Sequence, residues 1–231
     1  MAASAHRAAV VMHAFYAERA LGRGPGAPSF IEAIAEACGA RSIAVTLFGA
    51  GAGESVVATS DPLAESAQDL EYSYGEGPAV KVLTGPGELS LSGGELSRCW
   101  PRFGAAIQDL GVVSVSSVRL GGAASPLGAV TVYRSEAADG ALLTRSLAAV
   151  AEALTNTALL PIAGVEDLLA HPLFDDLDFR PVVHQAAGMV MMAKDCAAED
   201  ALALIRAHAL AEDRRVLDVS LAIVDRTLDL P

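Results

Sequence analysis

Arg180-Pro-Val-Val-His-Gln-Ala-Ala-Gly-Met-Val-Met-Met192 opens the stretch on which the reading of this chain turns. Pro181 suits the first turn of a helix, where a missing N–H is no loss, and the spacing carries that helix to about Ala193. Val182, Ala186, Met189, Val190 and Ala193 are expected on one face, with Arg180, His184, Gly188 and Met191 on the other. A second helix is predicted over 198–211, burying Ala201, Leu202, Ile205 and Ala209 and pointing Arg206 away. A third, over 215–228, sets Val216, Val219 and Ile223 on one side and Leu217, Leu221, Val224 and Leu228 on another. Each is too short to persist alone in water, so the three must pack together. Gly188 is the odd residue, because a glycine inside a helix costs about 1 kcal/mol relative to alanine. Its presence implies a close approach to the backbone, by another helix or by a ligand.

Upstream, the pattern alternates helices with hairpin-joined strands. A helix over 4–21 and the linker Gly22–Pro28 come first, and Ser29 then caps a helix running through Cys38. Ser42–Phe48 and Ser55–Thr59 read as strands around the Gly49-Ala-Gly-Ala-Gly53 turn. Asp61 caps a helix to Tyr72 with Pro62 in its first turn, and Gly75–Pro78 turns into a short helix ending at Leu83. A weak strand over 88–91 and a turn at Ser92–Gly94 precede a helix from Trp100-Pro101 to Gly111. Val112–Leu120 and Leu127–Arg134 are the best strands, and a long helix covers 141–160. The expected fold class is α+β: an antiparallel sheet flanked by helices over 29–160, a bridge over 161–179, and an all-α three-helix unit over 180–231.

At 231 residues with 52% hydrophobic content, the chain can bury ample core. Its net charge is -12, and the part after Pro172 holds 6 basic and 11 acidic residues. Any nucleic-acid contact must therefore be a local basic patch. Cys38, Cys99 and Cys196 are scattered, as befits a reducing compartment, and Cys38 and Cys99 are expected as core residues. His6, Arg7, His13, Glu18 and Arg19 interrupt the N-terminal stretch, so no signal peptide is expected. No apolar run reaches the roughly 20 residues of a membrane span. A cytoplasmic protein without membrane attachment is expected. The glycines at 49–53 lack both the helix of a dinucleotide fingerprint and the Lys-Ser/Thr of a P-loop. With no nucleophile elbow, no HExxH and no histidine at ligand spacing, neither an enzyme nor a metal site is expected.

Gly75-Glu-Gly-Pro78, Trp100-Pro101-Arg-Phe103, Gly111-Val-Val-Ser114, Leu127-Gly-Ala129 and Val132-Tyr133 together resemble a GAF sensor domain over residues 29–160. Residues 180–228 resemble an ANTAR domain through Arg180, Val182-Val183, Gln185-Ala186, Gly188-Met189, Ala201, Ile205-Arg206, Ala209, Leu217-Asp-Val219 and Ile223-Val224. Many ANTAR members carry lysine where this chain has Ala187, alanine where it has Ser220 and an aromatic where it has Leu202. The resemblance implies a signal-responsive transcription antiterminator, often a homodimer, that grips a two-hairpin RNA. Its GAF domain would sense a small-molecule ligand or dimerise; the resemblance names no cofactor. The candidate RNA surface is Arg180, His184, Gln185 and Gly188, with Lys194, Arg206, Arg214 and Arg215 as peripheral phosphate contacts. The alternative is a sensor or dimerisation protein whose tail binds a protein instead.

Overall fold

The computed structural model describes residues 28–48, 55–136, 140–156 and 181–230, besides positions 9, 10, 13 and 17. Most of the helix over 4–21, the linker, the 49–53 turn, the bridge over 161–179 and Arg180 lie outside the described residues. The fold is α+β, with an antiparallel sheet flanked by helices and a helical C-terminal part.

Five strands, β1 (Ser42–Phe48), β2 (Ser55–Thr59), β3 (Glu88–Ser92), β4 (Ser114–Gly121) and β5 (Pro126–Arg134), lie in the order β2-β1-β5-β4-β3. Every neighbouring pair is antiparallel, with Val45 opposite Val130 and Ser117 opposite Thr131. Successive side chains on a strand point to opposite faces, and both faces of this sheet are covered. Ile43, Leu47, Val130 and Val132 face α1 (Pro28–Cys38) and α6 (Gly140–Leu154), packing with Ile34, Leu147 and Val150. Ala44, Val115 and Tyr133 face the other layer and pack with Ala64, Ala67, Leu96, Phe103 and Ile107. That layer contains α2 (Pro62–Tyr74), α3 (Pro78–Thr84), α4 (Gly94–Cys99) and α5 (Pro101–Asp109). Burial on both sides explains why β4 and β5 read as nearly continuous apolar and small runs.

The Asp61 cap holds, whereas the helix expected to be capped by Ser29 begins one residue earlier, at Pro28, so Ser29 lies inside it. Asp61 accepts a hydrogen bond from the Ala64 N–H at 2.9 Å, with Pro62 in the first turn. The helix at Gly94–Cys99 follows directly on the expected Ser92–Gly94 turn and has no counterpart in the sequence reading, since six residues carry too little periodicity to register. Cys99, expected in the core, is exposed, whereas Cys38 is buried.

The C-terminal trio is α7 (Pro181–Lys194), α8 (Ala198–Ala211) and α9 (Val216–Val224). Its helices are stopped by left-handed residues that are not glycine: Asp195, Asp213 and Arg226, with φ of 50°, 51° and 57°. Arg226 ends α9 at Val224, short of the expected 228, and the N–H groups of Thr227 and Leu228 return to the Ala222 carbonyl. The trio's core comprises Val183, Ala186, Val190, Leu202, Ile205, Val219 and Ile223, joined by Tyr72 from α2. Among the described residues no helix is long and apolar enough to cross a membrane.

Ser220 is fully buried in α9 and its hydroxyl has no hydrogen-bond partner. A desolvated, unpaired hydroxyl is destabilising, and serine is also a weaker helix former than alanine. Ser220→Ala is therefore expected to stabilise the trio by about 1 kcal/mol in urea unfolding. A loss of stability would show that the hydroxyl is satisfied.

Candidate functional site

The helix that joins the two parts, α2, carries two stripes. Ala64, Ala67, Gln68 and Glu71 turn into the sheet layer, at the i, i+3, i+4, i+7 spacing of a buried face. Glu71 is the surprise there, an acid on an apolar stripe. Its Oε1 accepts hydrogen bonds from the N–H groups of Ala79 at 2.7 Å and Val80 at 3.1 Å, in the first turn of α3. Gln68 donates through Nε2 to Glu71 Oε2 at 3.3 Å and to the Tyr133 hydroxyl at 2.7 Å, and accepts from Thr46 Oγ1 at 2.8 Å. Burial raises the Glu71 pKa from 4.5 to about 7, against the lowering effect of the Val80, Ala79 and Gln68 hydrogen bonds. Burial, and then the Glu71 charge, push the Tyr133 hydroxyl well above its usual range.

The turn Gly75–Pro78 makes this burial possible. A Cβ on Gly77 would stand 2.6 Å from the Glu71 carboxyl carbon, so only glycine lets the acid pass beneath the turn. Glu76 reaches the other way, its Oε1 accepting from the N–H groups of Arg102 at 2.9 Å and Phe103 at 3.0 Å. Two sequence stretches that stood apart as motifs are thus one hydrogen-bonded unit, completed by the edge-to-face pair of Trp100 and Phe103 at 5.7 Å. Trp100 and Tyr133 are core residues of this layer.

On α7 the buried face is Val183, Ala186, Ala187 and Val190, one step round from the expected set of Val182, Ala186, Met189, Val190 and Ala193. Val182 and Met189 are half-buried and Ala193 is exposed. Alanine, glycine and methionine give little hydrophobic contrast, so the helix phase follows the approach of α8 and α9. Ala187, at the position compared with lysine, is interior and 4% exposed. Gly188 points out, and a Cβ built on it meets nothing within 4 Å among the described residues. Among those residues no tight helix crossing at Gly188 explains this glycine. Gln185 is exposed, His184 and Gly188 are partly exposed, and Met192 is 87% exposed on the same side.

The basic candidates do not all share that surface. Lys194 closes α7, where a cation suits the helix dipole, but lies about 120° around the axis from Gly188 at 100° per residue. Arg206 does not point freely away as expected. Its guanidinium carbon lies 4.8 Å from the Tyr72 ring centroid, and its Nε is buried without a hydrogen-bond partner. Arg215 grips Asp218 through Nε at 2.9 Å and Nη2 at 2.8 Å. That pairing raises the arginine pKa and lowers that of the aspartate. Arg214 donates to the Asp218 carbonyl at 3.3 Å. Arg214 and Arg215 line a cleft of about 220 Å³ between the trio and α2, with Asp69, Leu70, Tyr74 and Leu210. The candidates therefore separate into an α7 stripe of His184, Gln185 and Gly188 and an arginine group where the trio meets α2, with Lys194 apart from both.

Sequence reasoning missed Met192, Tyr72 and Glu71. The methionine run over 189–192 hinted at the first, and an acid at i+7 of a core stripe at the third. Tyr72 had no local signal. The chain matches no protein-family model, and no curated protein matches it.

Proposed function

We propose that the chain is a signal-responsive, RNA-binding antitermination regulator, a GAF-like sensor followed by an ANTAR-like trio that contacts a two-hairpin RNA. The observation that carries this reading is Gly188, a helical glycine whose missing side chain leaves open space on an accessible stripe. Helix–helix packing among the described residues gives no reason for it, whereas a nucleic-acid backbone laid along α7 does. His184 and Gln185 on that stripe offer hydrogen-bonding groups to unpaired bases or phosphates, and Met192 an apolar surface for a splayed base. The net negative charge of the tail is compatible with this only if few phosphates are engaged. The salt dependence is therefore expected to be shallow. Titrating a labelled two-hairpin RNA against the purified chain should give a slope of log affinity against log salt of about -1 to -3. Affinity no higher than for a scrambled RNA would remove the proposal.

A second reading, a tail that docks on a protein partner, has one observation in its favour. Leu204 and Leu221 are 39% and 41% exposed on α8 and α9. Capture of a partner that survives ribonuclease, together with failure of the RNA titration, would favour it.

A further inference from the structure

From the contact of α2 with the trio we infer an autoinhibitory lock, in which a tyrosine of the sheet domain's helix occupies Arg206, which the tail would otherwise offer to an anionic partner. The inference rests on the RNA-binding reading for its biological sense, though the contacts themselves stand apart from it. Glu65, Asp69 and Tyr72 follow one another at i, i+4, i+7 on α2, a stripe distinct from the core-facing Ala64, Gln68 and Glu71. Tyr72 leaves its own domain's core to enter the trio's apolar cluster, where it is 9% exposed. Its ring presents its negative face to Arg206 at 4.8 Å. Arg215 is paired within the trio itself, to Asp218 at 2.8 Å, and shares the lining of the adjoining cleft with Asp69.

An arginine stacked on an aromatic ring, its Nε buried, is withdrawn from phosphate. The lining of the adjoining cleft balances Arg214 and Arg215 with Asp69 and Asp213, so the corner offers an incoming polyanion little net attraction. Among the described residues the α7 stripe is not covered in this way. In the locked chain, then, the stripe can be approached while Arg206, which would strengthen binding, is engaged. A signal that shifts α2 relative to the trio would free Arg206 from Tyr72, while Asp218 would still hold Arg215.

The test uses the full chain and inorganic polyphosphate as a probe of arginine availability. Tyr72→Leu keeps an apolar side chain in the trio's cluster and removes the ring. It is expected to bind polyphosphate about fivefold tighter than the unaltered chain, and to gain nothing when Arg206→Ala is also present. Asp69→Asn, in the cleft lining beside Arg215, is expected to give a smaller gain that Arg215→Ala abolishes. No gain in either variant, or a gain that persists without the arginines, overturns the lock. Parallel titrations with two-hairpin and scrambled RNA separate the two ideas. Arginine-dependent polyphosphate gain without RNA preference keeps the lock and removes the RNA reading. RNA preference in the unaltered chain without polyphosphate gain does the reverse.

Discussion

Glu71→Gln is expected to flatten a fall in stability that the unaltered chain shows between about pH 4.5 and pH 7. The sign follows from where the proton sits. The folded chain holds it up to about pH 7, while an unfolded glutamate releases it near 4.5, so unfolding releases a proton across that window. The stabilisation is complete below pH 4.5, is lost as the pH rises through 7, and stays lost above. A separation of about 2.5 pH units corresponds to roughly 3 kcal/mol at 1.36 kcal/mol per unit. Comparing urea unfolding of the two proteins from pH 4.5 to pH 8 cancels every other titrating group. The variant should gain on the parent by that amount across the range. Parallel curves would mean that water reaches Glu71 and that the helical layer is looser than its hydrogen bonds imply.

Gly188→Trp is expected to cost at least tenfold in RNA affinity, about 1.4 kcal/mol, while leaving the trio folded. The separation of the two effects is what makes the experiment informative. A Cβ at 188 meets nothing within 4 Å among the described residues, so the helix backbone accepts a side chain there. Gly188→Ala serves as the companion: it should raise the stability of α7 by up to about 1 kcal/mol through helix propensity alone. A chain that folds better with alanine and binds worse with tryptophan has kept its glycine for contact. Unchanged RNA affinity in the tryptophan variant would exclude the α7 stripe as the contact surface.

The elements that announced themselves in sequence were those with strong local chemistry. Asp61-Pro62 marked the start of α2, and the apolar spacing of Ala201, Leu202, Ile205 and Ala209 marked both the bounds and the buried face of α8. Where local contrast was weak, the reading slipped. The phase of α7 moved by one residue because Ala186-Ala187-Gly188 tolerates either face, and α9 ran long because a left-handed arginine is not an expected stop. The site was legible only in part. His184, Gln185 and Gly188 were placed on an accessible stripe, but the engagement of Arg206 depends on Tyr72, 134 positions earlier. No periodicity can reveal such a contact. Glu71 was hidden for a related reason, since its burial depends on a turn and a helix start that fold over it from later in the chain.

Tyr72 also bears on how the molecule can be dissected. The apolar cluster beneath α7, α8 and α9 includes a ring donated by a helix more than a hundred residues upstream. A truncation beginning near Pro181 would excise that ring and leave a gap in the cluster it fills. Weak RNA binding by such a fragment would then report collapsed packing, with no bearing on whether the intact protein recognises the hairpins.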